Sequence, residues 1–96
     1  VALARDLAER IEREPGFELA APPRLGLVCF RVDGGDDANQ RVLDAVNATG
    51  RVYLTHTRLD GRLTLRFAIG GTRTEARHVD AAWHVLREAH QQAADR

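Results

Sequence analysis

Leu3, Leu7 and Ile11 recur every four residues at the head of the chain, while Arg5, Asp6, Glu9, Arg10, Glu12 and Arg13 fill the positions between them. Side chains so spaced share one face of a helix, so residues 2–14 are expected to form an amphipathic helix with its apolar stripe on a core. Pro15-Gly16 ends it, because proline lacks a backbone donor and glycine permits the turn. Residues 17–20 follow as a short strand. Pro22-Pro23 then separates them from residues 24–32, which are apolar at nearly every position. Such an unbroken run predicts a central strand covered on both faces.

Asp33-Gly34-Gly35-Asp36 reads as a turn, and Asp37 with Gln40 three positions later has the spacing of a capping box, Asp serving as the cap. The helix it opens buries Val42, Leu43 and Val46 and stops at Gly50, a residue suited to the left-handed backbone that ends helices. Residues 51–59 and 62–69 flank Asp60-Gly61, a hairpin signal because both central positions of that tight turn need positive φ. Leu59 then faces Arg62, and counting outward pairs Leu65 with His56, Phe67 with Leu54 and Ile69 with Val52. These make an apolar face, with His56 packed among them. The opposite face sets Arg66 against Thr55, with Tyr53, Thr57, Thr64 and Ala68 around the pair.

Gly70-Gly71 closes the last strand. Thr72 with Glu75, or Thr74 alone, caps a final helix whose stripe is Ala76, Val79, Ala82, Trp83 and Leu86. The element order is therefore α-β-β-α-β-β-α, an α+β fold with helices on one side of a mainly antiparallel sheet.

Composition narrows what such a fold can do. Ninety-six residues, 44% apolar and 29% charged, make one soluble domain over residues 1–96. Fourteen basic residues balance fourteen acidic ones, so no basic excess exists to hold nucleic acid or an anionic membrane. No apolar stretch reaches membrane-spanning length and no charged segment followed by an apolar run opens the sequence, so neither secretion nor insertion is expected. Cys29, the single cysteine, reads as a small buried hydrophobe, and a cytoplasmic setting is expected. The chain opens at Val1 rather than methionine, from which an absent upstream part is expected.

All the basic residues are arginine. An enzyme that anchors pyridoxal phosphate covalently needs a lysine amine, which this chain lacks. Serine is absent too, so no catalytic residue is expected within the chain. His78, His84 and His90 are spaced six apart, which does not place them on one helix face; they read as solvated and no metal site is expected. Gly70-Gly71-Thr72 lacks the spacing and lysine of a phosphate loop. Arg66 stands out by lying mid-strand between Leu65 and Phe67. It reads either as a solvated arginine on an outer sheet face or as an anchor for a carboxylate, which a guanidinium grips with two parallel hydrogen bonds.

Several runs resemble the C-terminal region of the group II pyridoxal-phosphate decarboxylases. They are Phe17-Glu18 leading to Leu25-Gly26-Leu27-Val28-Cys29-Phe30-Arg31, then residues 47–57, then Leu65-Arg66-Phe67-Ala68-Ile69-Gly70, and last Thr74-Glu75-Ala76-Arg77-His78-Val79 with Ala82-Trp83. Aromatic-L-amino-acid decarboxylases, including the DOPA, tryptophan and tyrosine types, carry closely similar runs, so the resemblance implies that family. The resemblance implies a C-terminal small domain that packs on a large cofactor domain of the same polypeptide, within a homodimer. It also implies that pyridoxal phosphate is held mainly by that large domain, while Arg66 approaches the α-carboxylate of the amino acid substrate or the network that positions it. A domain so covered is expected to show a contiguous apolar patch, with the first helix and the Phe17 strand as candidates. The competing reading is a free-standing α/β module that binds small molecules or proteins without catalysis.

Overall fold

The computed structural model describes residues 2–21, 27–50, 52–68 and 76–94. Along them run α1 (Ala2–Arg13), β1 (Phe17–Leu19), β2 (Leu27–Val32), α2 (Gly35–Ala48), β3 (Thr55–Leu59), β4 (Arg62–Ala68) and α3 (Ala76–Ala94), the order the periodicity predicts. The strands form one antiparallel sheet ordered β1-β2-β4-β3.

All three helices lie against one face of this sheet. Ala4, Leu7, Ala8 and Ile11 of α1 are buried, as are Val42, Leu43 and Val46 of α2. From α3 come Val79, Ala82, Trp83 and Leu86, joined by Val85 and Ala89. They meet Val28, Phe30 and Val32 of β2 and Leu65 of β4, alternate residues that share the helix side of the sheet. Burying each large aliphatic side chain here stabilises the fold by about 1.5–3 kcal/mol. Phe17 anchors one end, its ring centroid 5.2 Å from that of Trp83 and 6.1 Å from that of Phe30. The side chains of Leu3 and Ala76 lie outside the described residues, as do residues 69–75, where the closing glycines and helix caps are expected.

β2 departs from its expected double coverage. Residues 24–26 lie outside the described residues, and burial alternates only over Leu27–Phe30, with Leu27 and Cys29 half-buried, after which Arg31 and Val32 are both buried. Among the described residues the helices cover the side of Val28, Phe30 and Val32, so the odd positions face away from them and Cys29 is not the buried hydrophobe expected of it. The strand is interior all the same, with β1 on one flank and β4 on the other.

α2 begins two residues before the expected cap. Gly34 takes the capping position in the left-handed region at φ 100°, and no side chain caps the helix. Asp37 and Gln40 therefore form no capping box; Gln40 instead donates to Asp44 at 3.0 Å. The polar groups of this first turn serve the sheet. The Asn39 side chain accepts from Val32 N–H at 2.9 Å and donates to Val32 C=O at 2.9 Å and to Gly35 C=O at 2.8 Å. Asp36 accepts from Leu63 N–H at 3.0 Å and pairs with Arg58 at 3.1 Å. That amide and then that guanidinium hold the Asp36 carboxyl below its usual range. Val32 and Leu63 would face each other if the β2–β4 register continued past its last pair, Phe30 with Leu65. Side chains of α2 thus occupy the place where the ladder stops.

The hairpin turns at Asp60 (φ 54°) and Gly61 (φ 76°), both left-handed as the sequence requires. Leu59–Arg62, His56–Leu65 and Thr55–Arg66 pair as counted. β3 nevertheless starts at Thr55 rather than residue 51. Asn47 of α2 accepts from Leu54 N–H at 2.7 Å and donates to its C=O at 3.1 Å, so both backbone groups of Leu54 are engaged by α2 and the expected pair with Phe67 is not part of the ladder. The expected Val52–Ile69 pair involves Ile69, outside the described residues. His56 is exposed, not packed, because β3 is an edge strand and α1 and α2 lie over β1, β2 and β4. The expected apolar patch is also missing among the described residues. Arg5, Glu9, Glu12 and Arg13 form the outer side of α1, Phe17 is buried, and among the described residues Tyr53, at 68%, is the one large apolar side chain that is exposed.

Candidate functional site

The sheet face turned away from the helices carries Glu18, Arg31, Thr64, Thr57, Arg66 and Thr55. Register sets it out in two adjacent rows. In the first, Cys29 of β2 lies beside Arg66 of β4, and Arg66 beside Thr55 of β3. In the second, Glu18 of β1 lies beside Arg31 of β2, and Thr64 of β4 beside Thr57 of β3. Arg31 and Thr64 join across the two middle strands, since Arg31 Nε donates to Thr64 Oγ1 at 3.2 Å. A period of two residues along each strand puts these side chains on one face.

Arg66 is half-buried and its Nε donates to Thr55 Oγ1 at 3.3 Å. No acidic side chain among the described residues lies within ion-pair distance of it. The rest of the fork's donors are therefore not matched by a carboxylate of the described chain. A planar guanidinium so held can take an external carboxylate in two parallel hydrogen bonds, which a lysine ammonium cannot reproduce. The arrangement can bind and orient. Among the described residues, the cross-strand neighbours of that arginine are Thr55 and Cys29, whose thiol is the one titratable group of the two.

Arg31 has no separate place in the sequence reading, yet it is the most unusual residue of this face. It is 7% exposed, and Thr64 beneath it is fully buried. Its Nη1 meets the Glu18 carboxylate at 3.4 Å, while the Thr64 hydroxyl donates onward to Arg62 C=O at 3.1 Å. A signal for it was present: like Arg66, Arg31 sits mid-strand between two apolar residues, Phe30 and Val32.

The histidines stay apart. His56 and His84 are exposed, and the side chain of His78 lies outside the described residues. His90 is not solvated as expected. Its ring packs edge-on to Phe17 at 4.8 Å and its Nε2 lies 3.1 Å from Asp33 Oδ1. Gly16 sits against it at φ 89°, with room for no side chain. Among the described residues no group of three His, Cys, Asp or Glu side chains converges as a metal site would. Nor, among them, is any helix long and apolar enough to cross a membrane.

Comparison with known proteins places these features among relatives. No protein-family model matches the chain. A tryptophan decarboxylase of Camptotheca acuminata is 42% identical over 96 residues, covering 92% of this chain and 19% of the relative. A phenylacetaldehyde synthase of Arabidopsis thaliana is 37% identical over 95 residues, again covering 92% of this chain and 19% of the relative. Among solved structures, Catharanthus roseus tryptophan decarboxylase in complex with L-tryptophan superposes with a TM-score of 0.90 at 35% identity, covering 97% of this chain and 21% of that one. The chain thus spans about a fifth of the length of the curated relatives it matches.

Proposed function

We propose that this chain, which matches the C-terminal region of the group II pyridoxal-phosphate decarboxylases, is the small domain of an aromatic L-amino acid decarboxylase. The observation that carries the reading is the match itself, 42% identity and a TM-score of 0.90 over nearly the whole chain. The parent enzyme releases CO2 from an aromatic amino acid to leave the amine. It is a cytoplasmic homodimer in which residues 1–96 form the small domain and a large domain of the same polypeptide lies against it.

The residues present here do not fit covalent attachment of pyridoxal phosphate, for the chain contains no lysine. The cofactor belongs to the large domain, where it supplies the electron sink that lets the carboxylate leave. This chain contributes orientation. Arg66, steadied through Nε by Thr55, grips the substrate carboxylate with its remaining donors. Holding that group in one plane fixes the direction in which its bond to Cα breaks, an alignment effect with no proton transfer. The half-buried position of Arg66 supports this role, because partial desolvation strengthens a guanidinium–carboxylate contact.

The test is Arg66→Lys in the full-length polypeptide, assayed for amine formation and cofactor binding. Lysine keeps the charge and loses the fork. Turnover and kcat/KM should fall together by roughly a hundred-fold, with cofactor affinity little changed. A rise in KM alone would mean that Arg66 merely holds substrate. Unchanged kinetics would end the assignment.

A further inference from the structure

Arg31 has no role in the function just derived, yet it is a charged side chain only 7% exposed on the face that carries Arg66. An ion taken out of water needs strong compensation. Its acidic partner, Glu18, is 59% exposed at 3.4 Å, a weak return for that burial. What Arg31 does make is a link across the sheet. The β2–β4 ladder has its last pair at Phe30 and Leu65, beyond which Val32 turns to Asn39 and Leu63 to Asp36. The bond from Arg31 Nε to Thr64 Oγ1 bridges the strands at that point, and Thr64 is itself tied to Arg62 C=O.

We propose that Arg31 is a positioning residue for Arg66: its guanidinium, fixed over Thr64 and beside Glu18, holds the Arg66 fork toward Thr55. Register makes the two arginines diagonal neighbours, since Arg66 pairs with Cys29, two residues before Arg31. Diagonal neighbours on antiparallel strands stand about 7–8 Å apart at their bases, within reach of long side chains. A stationary like charge there, with its bulk over Thr64, keeps Arg66 from folding back toward β2. Arg66 in fact leans the other way, onto Thr55. The inference rests on the reading of Arg66 as the carboxylate anchor.

The experiment uses the full-length polypeptide carrying Arg31→Met, Arg31→Lys, Thr64→Val, Arg66→Lys and the double variant Arg31→Met/Arg66→Lys. Cofactor absorbance and melting temperature report folding. Arg31→Met should lower kcat roughly ten- to a hundred-fold, the scale on which small misplacements act. Arg31→Lys, which keeps the charge, should recover most of that loss. The double variant should be no slower than Arg66→Lys alone, because Arg31 acts through Arg66. At equilibrium, Arg31→Met should weaken binding of an arylpropionate, which retains the carboxylate, and leave binding of the arylethylamine unchanged.

Losses that multiply in the double variant would mark Arg31 as generally structural and overturn the proposal. So would an Arg31→Met enzyme of normal kcat, or one that loses acid and amine affinity alike. If Arg31→Met does not fold, Thr64→Val decides: a folded variant of reduced kcat and weakened acid binding supports the link, and wild-type values refute it. Should Arg66→Lys itself retain full activity, the anchor reading fails and this inference with it. Loss in Arg66→Lys beside independent behaviour of Arg31 overturns this inference alone.

Discussion

Replacing Asn39 by alanine should be among the most damaging polar substitutions available to this chain. The side chain is 1% exposed and makes three hydrogen bonds of 2.8–2.9 Å, all to backbone groups. Each ordinarily contributes about 0.5–1.5 kcal/mol net, and a buried group left without a partner costs about 1–3 kcal/mol. Water can follow only poorly into so closed a site, so the expected loss is about 3–5 kcal/mol, against a total stability of about 5–15 kcal/mol for a domain. Asn47→Ala is the natural control. Asn47 clamps Leu54 in the same manner, through two bonds of 2.7 and 3.1 Å, but is half-buried. Solvent can replace the lost partners there, which limits the cost to about 1–2 kcal/mol. Urea unfolding followed by the fluorescence of Trp83, the single tryptophan and a core residue, measures both. A loss below about 1 kcal/mol at Asn39, or equal losses at the two positions, would refute the reasoning from burial.

Asp36 adds a pH signature. Its folded-state carboxyl is held below the usual range by Leu63 N–H and then by Arg58. A depressed carboxylate contributes stability above its unfolded pKa, and that contribution disappears as pH falls through the folded value. The urea midpoints of wild type and Asp36→Asn should therefore differ most near neutrality and converge in acid; a gap that widens as pH falls contradicts the assignment. Gly16 lies at φ 89°, where an added Cβ would sit 2.7 Å from His90 Cε1. Gly16→Ala should lower the melting temperature through both strain and collision, and Gly16→Ala/His90→Ala should lose less than the two single changes together. Strict additivity would show that the ring and the turn do not press on each other.

The sequence made the hairpin and the face of Arg66 legible for one reason: Asp60-Gly61 specifies a turn, and a turn specifies a register. Counting from it reached Thr55 opposite Arg66 without error. The count failed at Leu54, where Asn47 of a different element captures the backbone, a contact that hydrophobic periodicity does not encode. The start of α2 differs from the expected one for a related cause: Asp37, the expected cap, lies within the first turn, Gln40 donates to Asp44, and the left-handed Gly34 takes the capping position. His56 lies on the side its alternation implied, but alternation does not say how far the helices extend over an edge strand. Arg31 shares the mid-strand position of Arg66, but its partners, Glu18 on β1 and Thr64 on β4, belong to other strands, which the alternation within β2 does not encode.

The strand order β1-β2-β4-β3 also sets the tempo of folding. β3 and β4 are joined by their own turn, so their pairing is local, and isolated hairpins form in about 1–10 μs. β2 meets β4 only after the chain has closed a loop that contains all of α2 and β3, an entropic cost met before any contact rewards it. The hairpin is therefore expected to form first and its docking against β2 to follow, a sequence that φ-values near zero in β3 and β4 would refute. On that order the two rows of the open face, split between those strands, are completed only at the docking step.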